Sequence, residues 1–159
     1  MEATDQKNIL EINDLEVVYE TDLETVHAVN GISFSMKEGE TLGLVGETGA
    51  GKSTTALSIL RLLAENTGKI RNGSIQFNGE DILAMGPLDL QKLRGEDISM
   101  IFQDPMTSLN PVIPVGKQIA EVLELHNHKH LSAQEIEARV DKMLQLVGIP
   151  TERKHEYPH

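Results

Sequence analysis

A chain of 159 residues has room for one ordinary domain; 39% of it is apolar, but with two Tyr, three Phe and no Trp any core must be aliphatic. The formal charge is −11 (14 basic against 25 acidic side chains), and no Lys/Arg-rich run occurs, which argues against a nucleic-acid partner. There is no cysteine, so disulfides and thiolate metal sites are excluded. No signal-peptide pattern and no apolar run of ~18 residues is present. The chain is therefore expected in the cytosol, where it can still dock on a membrane protein.

In chain order, Leu10 and Ile12 alternate, followed by Leu15, Val17 and Tyr19, which predicts a strand over 9–19. After a polar turn at 20–24 the alternation resumes over 26–36, clearest at Ile32, Phe34 and Met36. Two adjacent alternating runs predict an antiparallel hairpin with one face covered. A turn at 37–40 leads to a short apolar run at 41–45 that suits a buried strand. Beyond residue 54, Ala56, Ile59, Leu60 and Leu63 fall at helical spacing. A polar stretch at 65–72 precedes a strand at 74–77, closed by the turn pair Asn78-Gly79. Pro87 opens a short helix over 87–93. The run 98–102 reads as a second apolar strand, ending in Gln103-Asp104-Pro105.

Residues 104–114 carry three prolines and read as an exposed loop. Helix follows. Ile119, Val122, Leu123 and His126 share one face, and Ser132 to Glu135 has the pattern of a capping box. The helix it opens carries Ile136, Val140, Met143, Leu144 and Val147 on one stripe, stopped by Gly148 with Pro150 after it. The fold class expected is α/β, in three parts. An antiparallel β part (1–40) precedes a phosphate-loop core (41–104), and a partial helical part (105–159) follows.

Between the apolar run and the first helix lies Gly46-Glu47-Thr48-Gly49-Ala50-Gly51-Lys52-Ser53-Thr54, which matches G-x-x-x-x-G-K-[ST]. The residue types fit a polyphosphate. Glycines allow φ > 0 and close backbone approach, so that N–H groups converge as an anion nest. The helix start adds its unpaired donors and the positive end of its dipole. Lys52 is expected to reach the β- and γ-phosphates, Ser53 to ligate Mg²⁺, and Thr54 to donate a further hydrogen bond. The Glu47 side chain is expected to point away from the anion.

Three further features have two readings each. Tyr19 is either a strand aromatic facing the core or a platform for adenine. Gln103 is either a polar residue ending a strand or an amide near Mg²⁺ and the γ-phosphate, since ligands of open α/β sheets sit beyond the carboxyl ends of strands. The alternating His126, His128 and His130 invite a metal, but they fall in a polar interhelical turn and do not share a helix face, so no metal is expected on 126–130.

Taken together, residues 46–54, Tyr19 and the run 93–111, from Leu93-Arg94-Gly95-Glu96 through Phe102-Gln103-Asp104-Pro105 to Leu109-Asn110-Pro111, resemble the nucleotide-binding subunit of an ABC transporter. The resemblance is strongest to the dipeptide, oligopeptide and nickel importer branch, and covers about the first half of such a subunit. It implies ATP and Mg²⁺ as ligands, with Tyr19 stacking on adenine, 46–54 holding the phosphates, and Ser53 and Gln103 attending the metal, Gln103 in a catalytic role. It also implies contact of the 103–125 region with transmembrane permease subunits. A second ATPase subunit, alike or different, and a peripheral place on the cytoplasmic face of the bacterial inner membrane follow as well. The family's Ser-Gly-Gly signature, its acidic strand with the catalytic glutamate and its switch histidine are not encoded in these residues. The chain alone is thus expected not to hydrolyse ATP, because phosphoryl transfer to water needs an oriented nucleophile as well as the metal. The alternative is another phosphate-loop module. A GTPase would carry Asn-Lys-x-Asp, and none occurs. A small-molecule kinase would carry a basic lid and lack the 93–111 run. A non-transport ABC ATPase of the DNA-repair kind would share the loop but continue into sustained heptads, which are absent.

Overall fold

The computed structural model describes residues 7–104, 108–127 and 130–159. It divides into two compact units, Met1–Leu90 and Gln91–His159.

The first unit is organised by β1 (Asn8–Glu20), paired antiparallel with β2 (Thr25–Lys37) on one side and β3 (Gly68–Phe77) on the other; a two-residue β4 (Glu80–Asp81) extends β3. The order is β2-β1-β3-β4. The hairpin expected from the alternation is thus present. Its turn is tied by the Thr21 hydroxyl, which donates to the Glu24 carbonyl at 3.0 Å. As the central strand, β1 has both edges covered. Ile12, Leu15, Val17 and Ile75 are at most 1% exposed, each contributing about 1.5–3 kcal/mol of transfer free energy. Strand β3 starts six residues earlier than expected, at Gly68, because the polar stretch 68–72 finds a ladder partner in β1.

Helix α1 (Lys52–Ile59) is shorter than the spacing suggested; Leu60, at its C-terminal end, is buried as expected, but the rest of the inward face differs. Thr55 and Ser58 are buried, while Ala56 and Ile59 are only half-buried. The hydroxyls allow this by bonding to the preceding turn, Thr55 Oγ1 to the Gly51 carbonyl (2.9 Å) and Ser58 Oγ to the Thr54 carbonyl (2.7 Å). Pro87 begins α2 (Pro87–Lys92) as expected.

Two expected strands are not formed. Residues 41–45 and 98–102 are irregular, apart from a single bridge between Arg94 and Ile98. Leu44 is 45%, Val45 94% and Ile101 89% exposed. A strand exists only with a hydrogen-bonding neighbour, and among the described residues neither run has one beyond that single bridge.

In the second unit, α3 (Val115–Leu125) and α4 (Ala133–Leu146) pack with a 3₁₀ turn, Thr151–His155. The capping box is complete. The Glu135 carboxylate accepts from the Ser132 N–H at 2.8 Å, while Ser132 Oγ accepts from the Glu135 N–H at 3.4 Å. The Ser132 N–H, joined by the Ser132 hydroxyl donating to the same carboxylate oxygen at 2.7 Å, holds the Glu135 carboxyl below its usual range. Ile136, Val140 and Leu144 form the buried stripe of α4; Met143 and Val147, expected with them, are exposed. Gly148 (φ 76°) ends the helix. The 3₁₀ turn is fastened by Lys154, whose Nζ donates to Glu137 (2.8 Å) and Asp141 (2.9 Å); the two carboxylates raise its pKa. Gly116 of α3 lies flat against Lys154, where a β-carbon would come within 2.8 Å of its carbonyl oxygen.

Candidate functional site

The loop at 46–54 must bend sharply and sit close to its support. Gly49 (φ 84°) and Gly51 (φ 81°) take the left-handed conformation, which glycine enters without steric cost. Gly51 is doubly constrained, because a β-carbon there would stand 2.2 Å from the Ala28 carbonyl oxygen and 3.2 Å from Val29 Cγ2. The bend therefore rests on the backbone of β2. Within it, the Ala50 N–H donates to the Glu47 carbonyl at 3.1 Å.

Lys52 opens α1 and folds back over the loop, donating through Nζ to the carbonyls of Gly46 (2.7 Å) and Glu47 (2.6 Å). Two of the three ammonium donors fix the charge at the bend. No side chain caps α1, so its first-turn donors and the positive end of its dipole are offered to an anion. The loop and β2 enclose a cavity of about 240 Å³ lined by Val29, Asn30, Ala50 and Lys52 among others.

Of the other residues singled out from the sequence, Glu47 and Thr48 are exposed, and Glu47 enters the site through its carbonyl. Ser53 is exposed on the first turn of α1 and Thr54 half-buried. Tyr19 lies half-buried near the end of β1, opposite Val26 on β2 and Gly68 on β3, in the same unit as the loop. Gln103 belongs to the second unit, exposed in an irregular segment, without the strand expected to lead into it. His126 caps the end of α3 with Nδ1 3.9 Å from the Glu96 carboxylate; His128 lies outside the described residues. Among the described residues no group of three or more His, Asp or Glu side chains is placed to hold a metal ion.

The donor near the loop suits one kind of ion. The Ser53 hydroxyl on the first turn of α1 is a hard oxygen ligand, which fits Mg²⁺ held jointly with phosphate oxygens. Sequence reasoning missed Thr55, whose buried N–H and hydroxyl both return to the Gly51 carbonyl (2.8 and 2.9 Å) and lock the bend to the helix. It also missed Ala28 and Val29 as the bearing under Gly51; nothing in their residue types announces that role.

A glycine bend braced on a strand, running into an uncapped helix opened by lysine, defines a phosphate-loop nucleotide-binding fold. The ABC transporter family model matches residues 29–158. The chain belongs to that family, and its fold class is the α/β phosphate-loop fold of ABC ATPase cassettes. It is 50% identical over 153 residues to the oligopeptide transport ATP-binding protein OppD of Escherichia coli, covering 95% of this chain and 44% of that one. It is 44% identical over 155 residues to the dipeptide transport ATP-binding protein DppD of Bacillus subtilis, covering 96% of this chain and 46% of that one. The chain thus spans less than half the length of these relatives. Among solved structures, a dimeric bacterial ABC transporter cassette superposes with a TM-score of 0.80 at 21% identity, covering 94% of this chain and 61% of that one. A dimeric ATP-binding cassette in a post-hydrolysis state bound to ADP and Pi gives 0.77 at 20% identity, with the same coverage.

No helix among the described residues is long and apolar enough to cross a membrane.

Proposed function

We propose that this chain is the nucleotide-gripping part of a subunit that couples MgATP binding and hydrolysis to the import of peptides, or of nickel. The observation that carries this reading is the Gly49–Gly51 bend feeding the uncapped start of α1 at Lys52, in a chain half identical to an oligopeptide transport ATP-binding protein. In this reading residues 46–54 wrap the phosphates and Lys52 neutralises their charge. Tyr19 stacks on adenine. Ser53 and Gln103 hold Mg²⁺, which when bound spreads the negative charge of the phosphates, and Gln103 orients the catalytic end of the site.

The 103–125 region docks on the permease subunits. Exposed apolar side chains at Val112, Val122 and Leu125 support this, being 75%, 50% and 60% accessible. A second ATPase subunit faces the loop, as the dimeric cassettes of similar fold suggest. The place of work is the cytoplasmic face of the bacterial inner membrane. Hydrolysis belongs to the longer subunit; these residues supply the grip. Calorimetric titration with ATP, with and without Mg²⁺, tests the assignment. The wild type should bind more tightly with the metal, and Ser53→Ala should lose most of that gain. A metal dependence unchanged in Ser53→Ala would remove Ser53 from the site.

A further inference from the structure

The fully enclosed positions of β1 change parity in mid-strand. Leu10 and Ile12, at even positions, are buried; beyond Asn13 and Asp14 the fully enclosed residues are Leu15 and Val17, at odd ones (0% exposed each), with Val18 buried beside them at 2%. An uninterrupted strand alternates faces strictly, so an extra residue has been inserted. Both ladders show where. Against β2, Ile12 and Leu15 pair with Phe34 and Ile32, so Asn13 and Asp14 together oppose Ser33. Against β3, Asn13 and Glu16 pair with Ser74 and Asn72, so Asp14 and Leu15 oppose Gly73. The neighbours compensate just beyond, where β2 skips Gly31 and β3 skips Arg71. Each of the three strands has a left-handed residue at this level: Asp14 (φ 48°), Gly31 (φ 72°) and Gly73 (φ 96°).

Asp14 ties this belt together. Its N–H donates to Ser33 Oγ on β2 at 2.8 Å, and its Oδ2 accepts from Asn72 Nδ2 on β3 at 2.8 Å. The strands approach so closely that a β-carbon on Gly73 would lie 2.5 Å from the Asp14 carbonyl oxygen.

The consequence falls on Tyr19. Val17 pairs with Val29, the residue that bears on Gly51. Directly opposed residues share a face, and so do residues two apart; β2 skips Ala28 just here, but β1 runs unbroken against β3 from Val17 to Tyr19, so Tyr19 lies on the face that meets the phosphate loop. Without the extra residue the alternation of Leu10 and Ile12 would carry even positions to that face, and Tyr19 would be turned to the other. We propose that Asp14 is a positioning residue for the nucleotide base, its bulge aiming Tyr19 at the loop side of the sheet. The inference rests on the reading of Tyr19 and 46–54 as one nucleotide site.

The test compares MgATP with magnesium tripolyphosphate, which lacks a base, on the full chain. Wild type should bind ATP about tenfold more tightly than tripolyphosphate, a typical worth for one base stacked on an aromatic ring. Asp14→Val puts a β-branched residue where φ is positive; the ratio should fall towards one while tripolyphosphate affinity stays unchanged. Asp14→Asn tolerates that φ and can still accept from Asn72, so it should keep the wild-type ratio. Should Asp14→Val fail to fold, Asn72→Ala removes only the tie to β3, and the ratio should drop about threefold. A folded Asp14→Val (or Asn72→Ala) with the wild-type ratio overturns the proposal, as does loss of both affinities in step. A wild type that binds ATP and tripolyphosphate equally removes Tyr19 from the site, and the proposal with it. A wild type that binds neither refutes the nucleotide reading itself.

Discussion

Two apolar stretches of the first unit meet opposite fates. In β1, Ile12, Leu15 and Val17 are fully enclosed, whereas at 41–45 the equally apolar Leu42, Leu44 and Val45 stand 43%, 45% and 94% exposed. Hydrophobicity does not separate them. What does is the supply of partners, since β1 has β2 within reach of a short turn and β3 on its other edge, and 41–45 has no neighbour among the described residues. An apolar run becomes a strand when another backbone completes its hydrogen bonds, not before.

Substitutions should reproduce that contrast. Leu15→Ala should cost about 2–5 kcal/mol in urea unfolding, the range for deleting an enclosed leucine. Gly51→Ala joins the two regions, because its added methyl would strike the Ala28 backbone on β2; a loss of roughly 2–4 kcal/mol is expected. Ser132→Ala, in the other unit, should cost about 1 kcal/mol through the capping box. Val45→Ser should stay within about 0.5 kcal/mol of wild type. A Val45→Ser penalty near that of Leu15→Ala would mean that 41–45 is buried after all.

The smallest effects are pH-dependent and oppose each other in sign. The Glu135 carboxyl is lowered, so its contribution is present above the unfolded value of about 4.3 and is lost as pH falls through the folded one. The melting-temperature gap between wild type and Ser132→Ala should therefore be wider at pH 7 than at pH 3. Lys154 is raised, so its contribution holds below about pH 10.4 and fades as pH rises through the folded value. The gap between wild type and Lys154→Met should narrow as pH rises from neutral through that alkaline range.

The same contrast explains what could be read in advance. The hairpin, the α4 cap and the loop at 46–54 are legible because their determinants are local: alternation, a Ser132–Glu135 pair, glycines and a lysine at fixed spacing. The buried face of α1 is not, since Thr55 and Ser58 are polar and become buriable only through bonds to their own backbone. The bearing of Gly51 on Ala28 depends on a fold-level contact. The Asp14 bulge lies between these cases. The step from Ile12 to Leu15 breaks the alternation in plain view, but the bonds to Ser33 and Asn72 that explain it come from two other strands.

The central claim is that the bend at 46–54 grips the phosphate tail of a nucleotide through Lys52. Thermal unfolding with MgATP at a hundredfold excess over Kd tests it most directly. The account predicts stabilisation of the wild type by about 2.7 kcal/mol and none for Lys52→Ala at the same concentration. Equal stabilisation of both proteins would contradict it.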